Sequence, residues 1–478
     1  MGVTSPRVKC SYAQNQVRFP LMIDTVWINA WIISSVLSTG VLALARRSGL
    51  TRGESVLLGF ASFPAPVTYV LGGQNSLVYP IDFAIPIAIL LALSTFHRVT
   101  VRVKAAAALI VVSAGVIPLL IAMSISGDRM DILYNAVNTY RLVGAMALLV
   151  HLSAVHRTRN IDGSWWRLTF SWIAVVLVAA MVLQGYAGIN TDVLGSFPRN
   201  NIAEIPDAAS VRFLVLGLFR GSLGILGLLG ICAFLAGEAE RSGRWFFSLA
   251  GAFCGFAVIV LTGSKTSLVA AVLVVASRLS IWRRFWSVAN AGSIIFILVS
   301  VFLLVGRGNT LEYIPEGLTK FVSSFGSERD TLDVRMDVWG ACIHDVGVNP
   351  TIAVGFPLRD TIPMPGTNAE KFNLSPYSPL TYQNEYLSVF MLGGLWSAIA
   401  YLAGLCLLGK SLFRSNSLSI GKTFPVLVFA GGLIEAATIA HLQPGMACVC
   451  PVFLFAAIYG VAARPRPLAI CRGQSRCD

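Results

Sequence analysis

Apolar residues fall in runs of roughly 20 along almost the whole chain, the length a helix needs to cross the hydrocarbon core of a bilayer. The stretch "AAAALIVVSAGVIPLLIAMSI" at 105–125 is typical. It does not alternate apolar with polar residues, so the strands of a membrane β-barrel are excluded. The pattern predicts spans near 24–45, 55–71, 80–96, 105–124, 132–154, 168–189, 213–236, 245–262, 266–281, 287–306, 382–408, 424–441 and 446–463. The expected fold class is all-α, a polytopic transmembrane helical bundle of about 12–13 spans with one long structured external loop. Three regions follow: transmembrane helices over 1–306, an external loop subdomain over 307–381, and transmembrane helices with a cytoplasmic tail over 382–478.

The long loop is too ordered in composition for a linker. Its "LDVRMDVWGACIHDV" segment repeats Val334, Val338, Ala341 and Cys342 at helical spacing, and a Pro-rich stretch, "NPTIAVGFPLRDTIPMPG", follows. A long ordered loop on a membrane protein is usually functional.

Composition sharpens the class. Of 478 residues, 55% are apolar and 12% charged, and the mean hydropathy is +0.72. The net charge of +13 does not point to nucleic acid, because the basic residues punctuate the apolar runs instead of clustering in one domain. Loops near 46–55, 97–104, 156–167, 238–244, 278–286 and 409–424, with the C-terminal tail, hold about twenty Lys and Arg; the intervening short loops hold about four. The first set is expected on the cytoplasmic side. That count puts the N-terminus outside despite Arg7, Lys9 and Arg18, so one early segment falls short of a full span or the N-terminus breaks the bias. No cleaved signal peptide is expected, since the first apolar run is too long and Arg46 and Arg47 follow it at once. The nine cysteines include no CxxC pair and are read as packing residues, so no metal site, disulfide framework or cofactor is expected.

Two arginines cannot be assigned to loops. Arg141 shares a helix face with Tyr134 and Asn138, in the external half of its span. Arg220 sits beside a glycine stripe, Gly217, Gly221, Gly224, Gly227 and Gly230, whose spacing lets a neighbouring helix come close. An intramembrane arginine normally faces a bundle interior or a wet cavity and marks a functional site. The plainer readings are a buried Arg141 bonded to carbonyls and an Arg220 that braces a helix junction. Lys265 tips an external turn in "LTGSKTSLVAAVLVVAS", where the amides of the next helix point toward the same place, an arrangement that favours anions. Taken alone, Lys265 reads better as a lysine snorkelling to headgroups. Asp82 and Glu435 are carboxylates in or near spans; pairing with Arg141 or Arg220, or a proton relay, is open for Glu435. Cations at that depth suit an anionic ligand with an apolar tail, such as a lipid-linked diphosphate, whose departure needs positive charge where negative charge develops.

Three patches in order resemble the O-antigen ligase and O-antigen polymerase family of bacterial membrane glycosyltransferases. "TGSKTSLVAAVLVV" is similar to that family's Ser-Arg turn and small-residue helix. "VRMDVWGACIHDVGVNPTIAVGF" resembles its Arg-x-x-x-Trp, Asn-Pro and Gly-x-Gly-type loop. "YQNEYLSVFMLGGLW" resembles its His-Asn-x-Tyr-Leu helix start with a following Gly-Gly. The likeness covers about residues 255–410. It implies a GT-C-like bundle in the bacterial cytoplasmic membrane, active on the external face. It implies metal-independent transfer of a glycan from an undecaprenyl diphosphate carrier to a glycan or lipid acceptor. Membrane lipids are then partners, and other polysaccharide-assembly proteins are left open.

By motif, Arg335 carries over as a diphosphate or donor contact, and Lys265 stands where the family has the turn arginine. Gln383 stands where the family has its acceptor-activating histidine, with Asn384 and Glu385 at the next two positions. Glutamine cannot act as a general base; it can only orient a hydroxyl. Either Glu385 supplies the base, or Glu435 or His344 reaches in, or the protein binds lipid-linked glycan without chemistry. The catalytic candidates are Glu385, Gln383 and Arg335; the substrate-binding candidates are Lys265, Arg220, Arg141 and Asn384. Helix capping at "TYQNEYL", with Thr381 accepting from the Asn384 amide, and a loop ion pair of Arg335 with Asp333 or Asp337 are the plainer alternatives. A flippase or transporter for a polysaccharide intermediate or organic anion would use the same cations, and would show broken helices near the midplane.

Overall fold

The computed structural model describes residues 25–69, 77–126, 129–158, 164–193, 215–218, 220–236, 244–281, 340, 384–414, 423–436 and 449–463. Among these the chain is a helical bundle with one two-stranded ribbon. Helix α1 (Thr25–Arg47) buries Ala30, Ser34, Leu37, Val41 and Ala45, one face at helical spacing, and exposes Ile28, Ile32 and Val36 on another. That is the division expected of a span with neighbours on one side and lipid on the other.

Helix α2 (Arg52–Ala61) starts on a capping box: the Glu54 amide donates to Thr51 Oγ1 and the Thr51 amide donates to Glu54 Oε2 at 2.8 Å. The run expected to span at 55–71 is helical only to Ala61. Pro64 disfavours helix at the residue before it and Pro66 follows, so the chain continues into β1 (Thr68–Tyr69), which pairs antiparallel with β2 (Leu77–Val78). Trp31 of α1 donates to the Pro66 carbonyl at 2.8 Å and ties this strap to the first span.

Helix α3 (Pro80–Thr95) begins with proline, whose missing amide costs nothing there. The next run is helical in four pieces: α4 (Val101–Val111), a π-helical turn at Val112–Val116, α5 (Ile117–Ile121) and a second π-helical turn at Ala122–Ser126. Then come α6 (Arg129–Thr158), α7 (Ser164–Tyr186), α8 (Arg220–Leu235), α9 (Arg244–Thr262) and α10 (Lys265–Ile281). The last described helices are α11 (Glu385–Arg414), α12 (Thr423–Ala436) and α13 (Val449–Ala462). Among the described residues, five stretches are long and apolar enough to cross a membrane: Thr25–Arg47, Pro80–Arg98, Val101–Ser124, Trp166–Tyr186 and Glu385–Phe413. Helix α6 carries Asn135, Asn138, Arg141 and His151 instead, and all four are buried.

Two ends can be told apart by contact. His151 of α6 meets both Glu54 at the start of α2 and Thr95 at the end of α3, which gathers the turns bearing Arg46, Arg47, Arg52, Arg98, Arg102 and Lys104 at one basic end. At the far end lie the Thr68–Val78 ribbon, the end of α7 and the buried turn 215–218. There Asn29 donates to Asn190, Leu216 donates to Thr191, and Gly217 lies against Pro66.

Helices α8 and α9 cross where side chains vanish. A Cβ on Gly227 would stand 2.5 Å from the Gly255 carbonyl oxygen, and one on Gly230 would stand 3.0 Å from that of Gly251. Without a hydrophobic drive between helices in lipid, such close backbone approach is what holds them. Helix α13 is buried from Val449 to Val461 and touches α2, α6, α8, α11 and α12. A Cβ on Gly460 would stand 2.6 Å from the Leu149 carbonyl of α6.

Candidate active site

Helices α8 and α10 start side by side at the far end. Gly224, in the second turn of α8, lies against the side chains of Ser264 and Ser267, which flank the start of α10 and bond to each other at 2.7 Å. Gly263, at φ +62, turns the chain from α9 into α10. Arg220 is the first residue of α8 and Lys265 the first of α10, so the fold brings the backbones of these two candidates to neighbouring helix starts. Both starts set the positive ends of their helix dipoles close together, an arrangement that favours negative charge.

Arg141 lies at the same end and is engaged. Its guanidinium donates to both carboxylate oxygens of Asp82, from Nε at 2.8 Å and from Nη2 at 2.6 Å. Nη2 also donates to the Leu77 carbonyl of β2 at 2.5 Å, and the guanidinium lies 5.2 Å from the centre of the Tyr79 ring. Asp82 in turn accepts from the Tyr79 amide at 2.8 Å, and Tyr140 donates to the Asp82 carbonyl at 2.7 Å. The side chains of Arg141 and Asp82 are 3% and 12% exposed, so the charge of Arg141 is met inside the protein, where it fastens α6 to the head of α3 and to the ribbon. Tyr134 and Asn138, on the same face, are buried as well.

The start of α11 departs most from the sequence expectation. A span at 382–408 with Glu385 at its mouth would be one straight helix. Instead Gly394 adopts φ 74 and ψ −176, a conformation essentially reserved for glycine, and the helix breaks there. Tyr401 donates its hydroxyl to Glu385 Oε1. In a straight helix these residues would stand roughly 24 Å apart, so the segment from Glu385 to Gly393 folds back along the segment that follows. Glu385 is therefore 2% exposed and inside the bundle, not at its mouth. Tyr386, beside it, donates to the Leu433 carbonyl of α12 at 2.9 Å. Gly431 of α12 meets Leu228 of α8 and lies near Val274 of α10, so α12 packs beside both of those helices. Ser397, just past the break, donates to the Ser113 carbonyl at 2.6 Å, inside the first π-helical turn.

Asn384 caps α11. Its Oδ1 accepts from the Leu387 amide at 3.0 Å. Gln383, Arg335, His344 and the loop 307–381 lie outside the described residues, Gly340 apart, as does Thr381; the side chains of Arg220, Lys265 and Glu435 are likewise outside the description. Nothing in the residue pattern singled out Tyr401. The buried Glu54–His151 pair, Oε1 to Nε2 at 3.2 Å, was also missed; its signals were a glutamate three residues after Thr51 and a histidine within "LLVHLSA".

Residues 250–402 match the sequence model of a family described as O-antigen ligase, roughly a third of the chain. That segment runs from within α9 through α10 and the long loop to within α11, and holds Lys265, Arg335, Gln383, Asn384 and Glu385. Arg141 and Arg220 lie before it. No match was found among curated proteins. With its apolar helices, this is a multi-pass membrane protein with one segment similar to the O-antigen ligase family.

Proposed function

We propose that the protein is a membrane glycosyltransferase that moves a glycan from an undecaprenyl diphosphate carrier to an acceptor hydroxyl, as a polysaccharide or O-antigen polymerase or a ligase. It works in the bacterial inner membrane with its active side outward. What supports this reading is that the segment similar to the O-antigen ligase family holds both the Lys265 helix start and the folded-back Glu385 helix, and that both belong to one bundle. The start bearing Arg220 lies beside that of Lys265. A diphosphate bound at these starts would have its sugar toward Glu385.

In the reaction the acceptor oxygen bonds to the anomeric carbon as the bond from that carbon to the phosphate oxygen breaks. The electron pair leaves with undecaprenyl diphosphate, stabilised by Arg335, Lys265 and Arg220, and the acceptor proton goes to the Glu385 carboxylate. Gln383 and Asn384 orient the incoming hydroxyl. A single displacement inverts the anomeric configuration. Arg141, bound to Asp82, serves this site by holding the far end together, and its place as a direct ligand contact is the weakest of the set.

One observation favours a second reading. The break at Gly394, facing π-helical turns in the neighbouring helix, is the kind of interruption a flippase or transporter uses. The test is incubation of purified protein with lipid-linked repeat units and a glycan acceptor. Release of free undecaprenyl diphosphate with acceptor extension is the expected result. Movement of intact lipid-linked glycan across vesicles, with no release, would replace the transferase with the transporter.

A further inference from the structure

Resting on that reading, we propose that Asn138 is a glycan contact: its buried carboxamide, on the face of α6 beside the head of α13, pairs with a hydroxyl of the lipid-linked glycan. Asn138 Nδ2 is shut off from solvent with no hydrogen-bond partner among the described residues, and the residue as a whole is 9% exposed. A carboxamide carries two N–H donors and a carbonyl acceptor, and leaving such a group unpaired in an apolar interior is costly. Ser34, Thr169 and Ser171 are also buried without a partner, on α1 and α7. A hydroxyl, however, has one proton and needs only a rotation to meet a carbonyl one turn back on its own helix. An amide held this deep in a membrane bundle marks a ligand path or a wet cavity.

Counting along the helices places Asn138. Helices α6 and α13 run parallel: Ser153 donates to the Ala463 carbonyl at 3.3 Å, and Gly460 lies against the Leu149 carbonyl. Eleven residues make about three helical turns, so Asn138 lies on the Leu149 face, roughly 16 Å nearer the far end. The same step back from Gly460 reaches Val449, the first residue of α13. Asn138 thus stands at the head of α13, at the end of the bundle where α8 and α10 start. That neighbourhood suits a sugar better than a phosphate. Arg141, nearly one turn on, is already engaged by Asp82 and the Leu77 carbonyl. What Asn138 offers is a neutral dipole, able to donate to one sugar hydroxyl and accept from another. Tyr134, one turn nearer the end on the same face, adds a buried ring.

The test uses the full-length protein in lipid nanodiscs, with Kd read by thermophoresis for two probes: the lipid-linked repeat unit, and undecaprenyl diphosphate without sugar. Asn138→Leu keeps the bulk and removes both polar groups. Kd for the repeat unit should rise about 10-fold, the worth of one or two neutral hydrogen bonds, while Kd for undecaprenyl diphosphate stays that of the parent. The unfolding temperature should equal or exceed the parent's, because an unpaired amide gives way to an apolar group of similar shape. Asn138→Ala should show the same split between probes and covers a misfolded Asn138→Leu. Unchanged Kd for both probes in a folded variant would overturn the proposal and leave Asn138 holding a water only. An equal loss for both probes would overturn it too, assigning Asn138 to the diphosphate or the fold. Loss of folding in both variants would make Asn138 a packing residue and end the proposal. A parent that binds the repeat unit no more tightly than bare undecaprenyl diphosphate would remove it as well, while transfer itself is judged separately, by release of undecaprenyl diphosphate.

Discussion

Arg141 shows what a single buried charge demands. Asp82 meets it with two hydrogen bonds and the Leu77 carbonyl adds a third, so the guanidinium sits in the protein with its charge answered. Removing one partner strands the other. Arg141→Ala should therefore lower stability by about 3–5 kcal/mol. The double change Arg141→Ala with Asp82→Ala should cost less than Arg141→Ala alone, as read by thermal unfolding in detergent. A double variant at least as unstable as the single would mean that the pair is not what holds this corner. Both residues stood out in the sequence as charges in or near spans, and the inward face of Tyr134, Asn138 and Arg141 followed from helical spacing. Their partnership did not, because 59 residues separate them and periodicity speaks only within one helix.

Helices were legible wherever one apolar run made one unbroken helix, as in α1, α3, α7 and α9. The failures share a cause. At 55–71 hydropathy continued past the point where Pro64 and Pro66 end the helix, and at 382–408 it continued through Gly394. Hydropathy reports that residues tolerate lipid or a protein interior; it does not report the direction of the backbone. The reversal at Gly394 yields a direct check. Cysteines placed at 385 and 401 should be joined by a short bifunctional thiol crosslinker, found by mass spectrometry of the intact fold. Adding Gly394→Ala, which forces a Cβ into a conformation costing about 1–3 kcal/mol, should abolish that crosslink. Persistence of the crosslink with Gly394→Ala would show that the packing around α11, not the glycine, dictates the reversal.

Across the whole molecule, two ends of different character share one bundle. Nearly all the described basic residues outside the spans gather at one end, while the helix starts of Lys265 and Arg220 and the braced Arg141 lie at the other. The proposed chemistry predicts that Arg335→Ala lowers transfer at least tenfold, about the loss of one charge-assisted phosphate contact, while unfolding temperature and membrane insertion stay those of the parent. Arg141→Ala should do the reverse, losing assembly before turnover per folded molecule. Equal tolerance of activity to both would favour the transporter. Helix α13, enclosed by five others, adds a constraint of timing. It emerges from the ribosome after all of them, so the earlier spans must enter the bilayer around a vacant slot and wait for their plug. A stop codon ahead of residue 449 would thus strip the protein of its innermost column rather than of a dispensable end, and quality-control proteases should clear the product.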